Sequence, residues 1–366
     1  MTGSRTLEGR IVTPDSVIRG RLRHDTRILS IEPDAHARDE LLILPGFIDL
    51  HVHGGKGADV MDGADAVRTM ARFHARQGTT SLLATTVTAP ADELRRAFAG
   101  IAAALAEPAA DAAAILGVHL EGPFLNPEAL GAQPPFAIAP DLDLAAELHE
   151  KAPIRVATMA PEIDPEGRLL AWLVAHGVKA QIGHTRCDYA TARAALAAGA
   201  AGFTHLYNAM TGLHHRGAGA VGCALAHGRF AEVILDFQHV EAGAALAALR
   251  AIPGLYAITD AVAACGMPDG TYHLGSHAIQ KSGETVRLAD GTLAGSVLTM
   301  RRAFANFGTL GLDPVEAARR TSGLAAAYLG LNDRGRLAPG LRADLALIDT
   351  RGEIAGVVCE GRTITG

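Results

Sequence analysis

Several residues stand at positions where their chemistry would tell. His51-Val52-His53 carries two imidazoles two residues apart. On a strand, side chains at that spacing face the same side, so both rings can converge on a cation. Polar residues in a loop mouth are the plainer alternative. Glu121 follows the apolar run Val118-His119-Leu120 and precedes Gly122-Pro123. A carboxylate is costly to bury there without a partner, and a cation or an arginine is such a partner. His184 closes Gln181-Ile182-Gly183, and His205 closes Gly202-Phe203-Thr204. Either histidine alone reads as a hydrogen-bonded core or rim residue. Two histidines and one carboxylate together form a catalytic zinc set with an open position for water. Asp260, in Ile258-Thr259-Asp260-Ala261, is either a helix N-cap or a general base beside activated water. Further on, Asn208 and Arg216 lie in a glycine-rich stretch that suits an anion, because a guanidinium matches phosphate geometry. An ordinary polar loop is the alternative there.

Residues so far apart in sequence share a site only if the fold gathers them. Eight short apolar runs read as strands: Gly46–Val52, Thr80–Val87, Ile115–Leu120, Ile154–Met159, Val178–Ile182, Gly202–His205, Glu232–Phe237 and Leu255–Thr259. Continuous apolar runs suit parallel strands covered on both faces. Alanine-rich helical stretches lie between them, over Ala64–Gln77, Ala91–Leu105, Glu166–His176, Asp188–Ala198 and Ala242–Ala251, with Gly177 and Gly199 placed as C-terminal caps. The alternation predicts an α/β fold, a (β/α)8 TIM barrel over residues 46–335. A doubly wound open sheet is the alternative. The barrel explains why His51, His53, Glu121, His184, His205, His239 and Asp260 all fall at C-terminal strand ends, which meet at one mouth. Residues 1–45 and 336–366 read as short strands and turns. Neither end has enough residues for a core of its own, so both are expected to pair into one small β domain.

Composition narrows the function classes. The 366 residues are 49% hydrophobic and 20% charged, with a net charge of −6. A mildly acidic chain has no general attraction for nucleic acid or anionic membranes, so a bound phosphate would need a few placed donors. Cys187, Cys223, Cys265 and Cys359 are widely spaced and form no C-x-x-C pair. A disulfide framework is not expected, and a reducing cytoplasm is. The first ten residues are polar and carry no signal-peptide apolar region, and no stretch reads as a membrane span.

The motifs together resemble the N-acetylglucosamine-6-phosphate deacetylase family of the amidohydrolase superfamily. The resemblance runs through Pro45-Gly-Phe-Ile-Asp-Leu-His-Val-His-Gly54, His119-Leu-Glu-Gly-Pro-Phe-Leu-Asn126, Ala157-Thr-Met-Ala-Pro-Glu162 and Gly183-His184. It continues through Thr204-His-Leu-Tyr-Asn-Ala-Met210, Ile258-Thr-Asp260 and Gly291-Thr-Leu-Ala-Gly-Ser296. It implies Glu121, His184 and His205 as ligands of a principal divalent metal, with zinc the first expectation and ferrous iron the alternative. His51 and His53 match members that carry a second ion, so one or two ions are expected. Asp260 matches the catalytic base and acid. Gln133, Asn208 and Ala209 match substrate-binding positions. Arg216 and His239 match residues that reach the sugar phosphate from a neighbouring subunit, which implies a homodimer. The family also joins both chain ends into a small β-sandwich domain.

Three segments depart from the family pattern: Phe237 where glycine usually follows the aspartate, Glu128-Ala129-Leu130 where basic residues are common, and Thr211-Gly-Leu-His-His215. The rival readings are the galacto epimer as substrate, another amidohydrolase reaction and a non-catalytic barrel. Many other amidohydrolases bridge two metals through a carboxylated lysine at the end of strand four. Here that strand ends Thr158-Met159-Ala160-Pro161, with no lysine.

Overall fold

Eight apolar runs form eight parallel strands in the computed structural model, which describes residues 3–364. They are β1 (Phe47–Val52), β2 (Thr79–Thr86), β3 (Ala114–Glu121), β4 (Ile154–Met159), β5 (Lys179–Ile182), β6 (Gly202–Phe203), β7 (Phe230–Ile234) and β8 (Gly254–Ile258). Each falls on an expected run, although β6 is only two residues long, so His205 follows that strand rather than ending it. Six strands are hydrogen-bonded in the order β6-β5-β4-β3-β2-β1, and β7 pairs with β8. The sheet is curled. Leu206 N–H donates to Glu232 O at 2.9 Å beside β7, and Asp260 N–H donates to His51 O at 2.9 Å between β8 and β1.

Each strand is followed by a helix: Ala64–Arg76, Ala91–Ala106, Leu142–Lys151, Arg168–Ala175, Tyr189–Ala197, Gly219–His227, Ala242–Ala251 and, after an excursion, Met300–Thr309. Their start signals are legible in the side chains. Asp141, Asp188 and Thr299 each accept a backbone N–H from the first turn, which satisfies a donor the helix itself leaves unpaired. Gly177 and Gly199 have φ of 70° and 112°, as helix-ending residues require. Leu142–Lys151, Gly219–His227 and Met300–Thr309 are helices not anticipated from the sequence.

Both chain ends meet in one seven-stranded sheet. Its order runs Arg362–Ile364, Ile354–Cys359, Leu345–Ile348, Leu42–Pro45, Arg5–Val12, Val17–His24, Ile28–Pro33. Side chains alternate between its faces. Ile11, Ile43, Leu345 and Val358 build a cluster of their own, whereas Val12, Leu44, Ala346 and Val357 join the main core. Residues 1–2 and 365–366 of the expected terminal segments lie outside the described residues.

Between β8 and Met300–Thr309 the chain makes an antiparallel three-stranded sheet: Gly270–Leu274, His277–Ser282 and Thr285–Arg287. The sequence reading missed it. Its burial alternates residue by residue, and it rests on its own small apolar cluster of Leu274, Ile279, Val286 and Val262.

Candidate active site

The curled sheet brings the C-terminal ends of β1, β3, β5, β6 and β8 together, and their polar side chains converge. His51, His53, Glu121, His184, His205 and Asp260 are all buried. Two groups of ligand-type atoms result. His184 Nε2, His205 Nε2 and Glu121 Oε1 form a triangle with edges of 3.0, 3.0 and 3.2 Å. Beside it, His53 Nε2 lies 3.2 Å from His51 Nε2 and 3.1 Å from Asp260 Oδ1. Glu121 touches both groups, with Oε2 at 3.1 Å from His53 Nε2 and Oε1 at 3.4 Å from His51 Nε2.

The donor set fits a metal ion. Ligand atoms held about 2.0–2.1 Å from a four-coordinate ion stand roughly 3.3–3.4 Å apart, close to these edges. A proton between two facing nitrogens satisfies one contact, whereas a cation satisfies all three. The rings are also turned the right way. Nδ1 of His184 faces Ala129 O at 2.9 Å and Nδ1 of His53 faces Thr85 O at 3.1 Å. Carbonyls can only accept, so those nitrogens carry the protons and Nε2 is left as the ligand. A third group, His51, His119 and Glu232, does not fit. His119 spends Nδ1 on Leu50 O and Nε2 on the Thr158 hydroxyl, and burial lowers its pKa to about 4, so it is a neutral spacer.

The electrostatics point the same way. Burial works against a charged His51, yet Glu121, Glu232 and Asp260 outweigh it and hold its pKa well above the ordinary imidazole value. For His53 burial is again overcome, by Asp260 and Glu121, and the pKa rises to about 9. Burial likewise opposes the ionised forms of Glu121 and Asp260. His51, His184 and His205 hold Glu121 well below the usual carboxylate range, and His51 and His53 lower Asp260. The buried carboxylates are thus stabilised by positive charge at this point, which a divalent cation would supply. Below them, burial raises Asp49 to about 7 despite its bonds to Thr259 and His51. That side chain ties the backbone before Asp260 to β1.

Backbone strain is concentrated here. Among the described residues eight non-glycine residues have positive φ, and six of them border the site: His184, His205, Tyr207, Ala209, Phe237 and Asp260. Left-handed backbone costs an L-residue about 1–2 kcal/mol, and such residues cluster where a side chain must be aimed. The helix N-cap reading of Asp260 is overturned, because no helix follows it.

Residues 42–364 match the amidohydrolase family. The chain belongs to that family. This amidohydrolase is 38% identical over 344 residues to the N-acetylglucosamine-6-phosphate deacetylase of Bacillus subtilis (strain 168), covering 90% of this chain and 86% of that protein. It is also 38% identical to the N-acetylgalactosamine-6-phosphate deacetylase of Escherichia coli O157:H7, with 92% of each covered. The solved structure of a mutant N-acetyl-D-glucosamine-6-phosphate deacetylase from Mycobacterium smegmatis, in complex with N-acetyl-D-glucosamine-6-phosphate, superposes with a TM-score of 0.92. Its sequence identity to this chain is 31%, and 100% of each chain is covered.

In this amidohydrolase His53, Glu121, His184, His205 and Asp260 floor a cavity of about 400 Å³, and His51 lies buried behind them. Gln133, Asn208, Ala209 and His239 line it, as do Leu274, Arg287 and Leu293, which sequence reasoning missed. Gln133 bridges the Thr88 backbone N–H and Glu121, and Asn208 braces the loop by donating to His205 O and Leu206 O. His239, expected to reach a neighbouring subunit's site, lines the cavity of its own chain, where Asp236 Oδ2 holds its Nδ1 at 2.7 Å. Arg216 does not join the cavity. It is exposed, bonds His215 at 2.8 Å and borders a separate surface depression. No helix among the described residues is long and apolar enough to cross a membrane.

Phe237 occupies left-handed backbone, φ 61°, on the loop that carries His239. Its ring is half-buried against the main core. Two effects oppose each other: glycine would relieve about 1 kcal/mol of strain, while truncation forfeits packing. Alanine keeps the strain and loses the packing. Phe237→Gly is therefore expected to be more stable than Phe237→Ala by about 1 kcal/mol, the reverse of the usual order, as read by urea unfolding of the two variants.

Proposed function

We propose that this protein is a metal-dependent deacetylase that hydrolyses N-acetyl-D-glucosamine 6-phosphate to D-glucosamine 6-phosphate and acetate, as in amino-sugar catabolism. The observation that carries the proposal is the convergence of Glu121, two histidine pairs and Asp260 at the base of one cavity, all but His51 lining it, in a chain this similar to named deacetylases. We further infer that the eight strands close into a (β/α)8 barrel over 46–335, flanked by a small β-sandwich domain from 1–45 and 336–366. The hydrogen bonds at both seams and the shared terminal sheet support this arrangement.

Glu121, His184 and His205 would hold the principal ion, and His51, His53 and Asp260 a second position, with Glu121 between the two. A divalent cation bound there, zinc or ferrous iron, lowers the pKa of water to about 7 and polarises an amide carbonyl. Asp260 accepts a proton from the water that attacks the acetamide carbon. It returns that proton to the nitrogen as the C–N bond breaks, so the free amine leaves with acetic acid, which keeps the water's second proton until it ionises to acetate, and the Asp260 carboxylate is restored. Gln133, Asn208, Ala209 and His239 line the space where the sugar phosphate sits. Arg287 is the one lysine or arginine among the described lining residues, which makes it the phosphate's cationic partner within the chain. Arg216, exposed and away from the cavity, is left to reach the site of a second copy in a homodimer.

The test is acetate release by metal-loaded protein from N-acetylglucosamine 6-phosphate, beside the unphosphorylated sugar and the galacto epimer. Strong preference for the first is the expected result. The Escherichia coli relative favours the galacto epimer as the second reading, and faster turnover of that sugar would select it. Arg287→Ala is expected to raise KM for the phosphorylated sugar at least tenfold while leaving the unphosphorylated sugar's KM unchanged, because a charge-assisted contact worth about 1.5–3 kcal/mol is lost.

A further inference from the structure

Beneath the two ligand groups lies a carboxylate that neither uses. Glu232, inside β7, is 0% exposed, and among the described residues no lysine or arginine pairs with it. Three donors converge on it. Its Oε2 accepts from His51 Nδ1 at 3.0 Å and from the His205 backbone N–H at 3.2 Å. Its Oε1 accepts from the Tyr256 hydroxyl at 3.3 Å, which in turn accepts from Gln181 Nε2 at 2.9 Å.

The consequences differ for the two histidines. A carboxylate can only accept, so His51 Nδ1 carries its proton toward Glu232 and presents Nε2 to His53, Glu121 and Asp260. For His205 the hold is on the backbone. This residue sits at φ 26°, and its Nδ1 is buried without a partner, unlike the corresponding nitrogens of His53 and His184. Its ring is therefore aimed by the main chain, and Glu232 pins that main chain.

We propose that Glu232 is a positioning residue shared by both ion positions. It fixes the His51 tautomer for one and the turn that aims His205 for the other. The inference rests on the two-position reading above. Fixing an imidazole's far nitrogen with a carboxylate also raises the ring's basicity, and losing such a partner typically weakens metal binding about 10–100-fold.

The test is Glu232→Gln, which keeps the shape and removes the charge. Zinc affinity and stoichiometry are measured by competition with a chromophoric chelator, with elemental analysis of the dialysed protein. The expected result is a parent with two ions per chain and a variant whose affinity falls about 10–100-fold at the position that includes His51. Tyr256→Phe removes a bond to the same carboxylate without touching charge, and is expected to lower the melting temperature with zinc affinity unchanged. A two-ion parent whose Glu232→Gln variant keeps both affinities overturns the inference alone. A parent that takes only one ion overturns the two-position reading as well. If the variant does not fold, ¹⁵N spectra of the cadmium-loaded parent decide, with His51 assigned by His51→Gln. The expected state is a protonated Nδ1 with metal coupling at Nε2, and a His51 without the Nδ1 proton overturns the proposal.

Discussion

Asp260→Asn is expected to lower turnover about 10²–10⁴-fold, the contribution of a positioned general base, while the protein stays folded and keeps the principal ion at Glu121, His184 and His205. The amide has the carboxylate's shape and can still face His53, 3.1 Å away, but it cannot take up and return a proton. Folding should not suffer, because asparagine tolerates the left-handed backbone at this position, φ 51°, at least as well as aspartate. Acetate release under saturating substrate, paired with elemental analysis of the same sample, separates the two effects. Turnover within a few-fold of the parent would remove Asp260 from the mechanism. Loss of the principal ion in step with activity would trace the defect to metal binding rather than to the missing base.

Glu121→Gln should do more damage, because one side chain contacts four imidazoles: His205 at 3.0 Å, His53 at 3.1 Å, His184 at 3.2 Å and His51 at 3.4 Å. Removing its charge should strip both proposed ion positions at once. Activity should fall beyond the roughly 10²–10⁴-fold expected for loss of the base. Chelating the parent should give the same inactive state, and returned metal should rescue the parent but not the variant. Melting curves give a second reading. Ligand that binds only the folded form at 100 times its Kd stabilises by about 2.7 kcal/mol, so added zinc should raise the parent's melting temperature and leave the variant's unchanged. A variant that still responds to zinc would show that the histidines alone hold the ion.

How much of this was legible beforehand depended on the kind of signal. The eight strands were plain because a strand covered on both faces is apolar throughout, and Phe47–Val52 and Gly254–Ile258 are buried at every residue. His184, His205 and Asp260 stood out as polar residues just past such runs. Glu232 did not, although it carries the same mark as Glu121, a lone carboxylate among apolar neighbours in Phe230–Ile234. It lies inside its strand rather than at the end, where catalytic groups are sought. Arg287 was invisible for another reason. Gly270–Leu274 and Thr285–Arg287 are short, half-exposed strands rich in polar residues, and their pattern does not differ from that of a loop. The contrast between His239 and Arg216 was also out of reach, since spacing in sequence does not tell which side of a loop faces its own cavity.

The seven-stranded sheet has a consequence for how the chain is made. Leu42–Pro45 pairs on one side with Arg5–Val12, and its other neighbour is Leu345–Ile348. At roughly 5–20 residues per second, the ribosome needs about 15–60 s to deliver those roughly 300 intervening residues. Throughout that interval an apolar strand, Leu42-Ile43-Leu44-Pro45, has one unsatisfied edge, the kind of surface that recruits strands from other nascent chains. Pro45 blunts its end by offering no N–H. The exposure to misassembly thus lasts until late in synthesis, ending only when Leu345–Ile348, made after all eight parallel strands, completes the pairing.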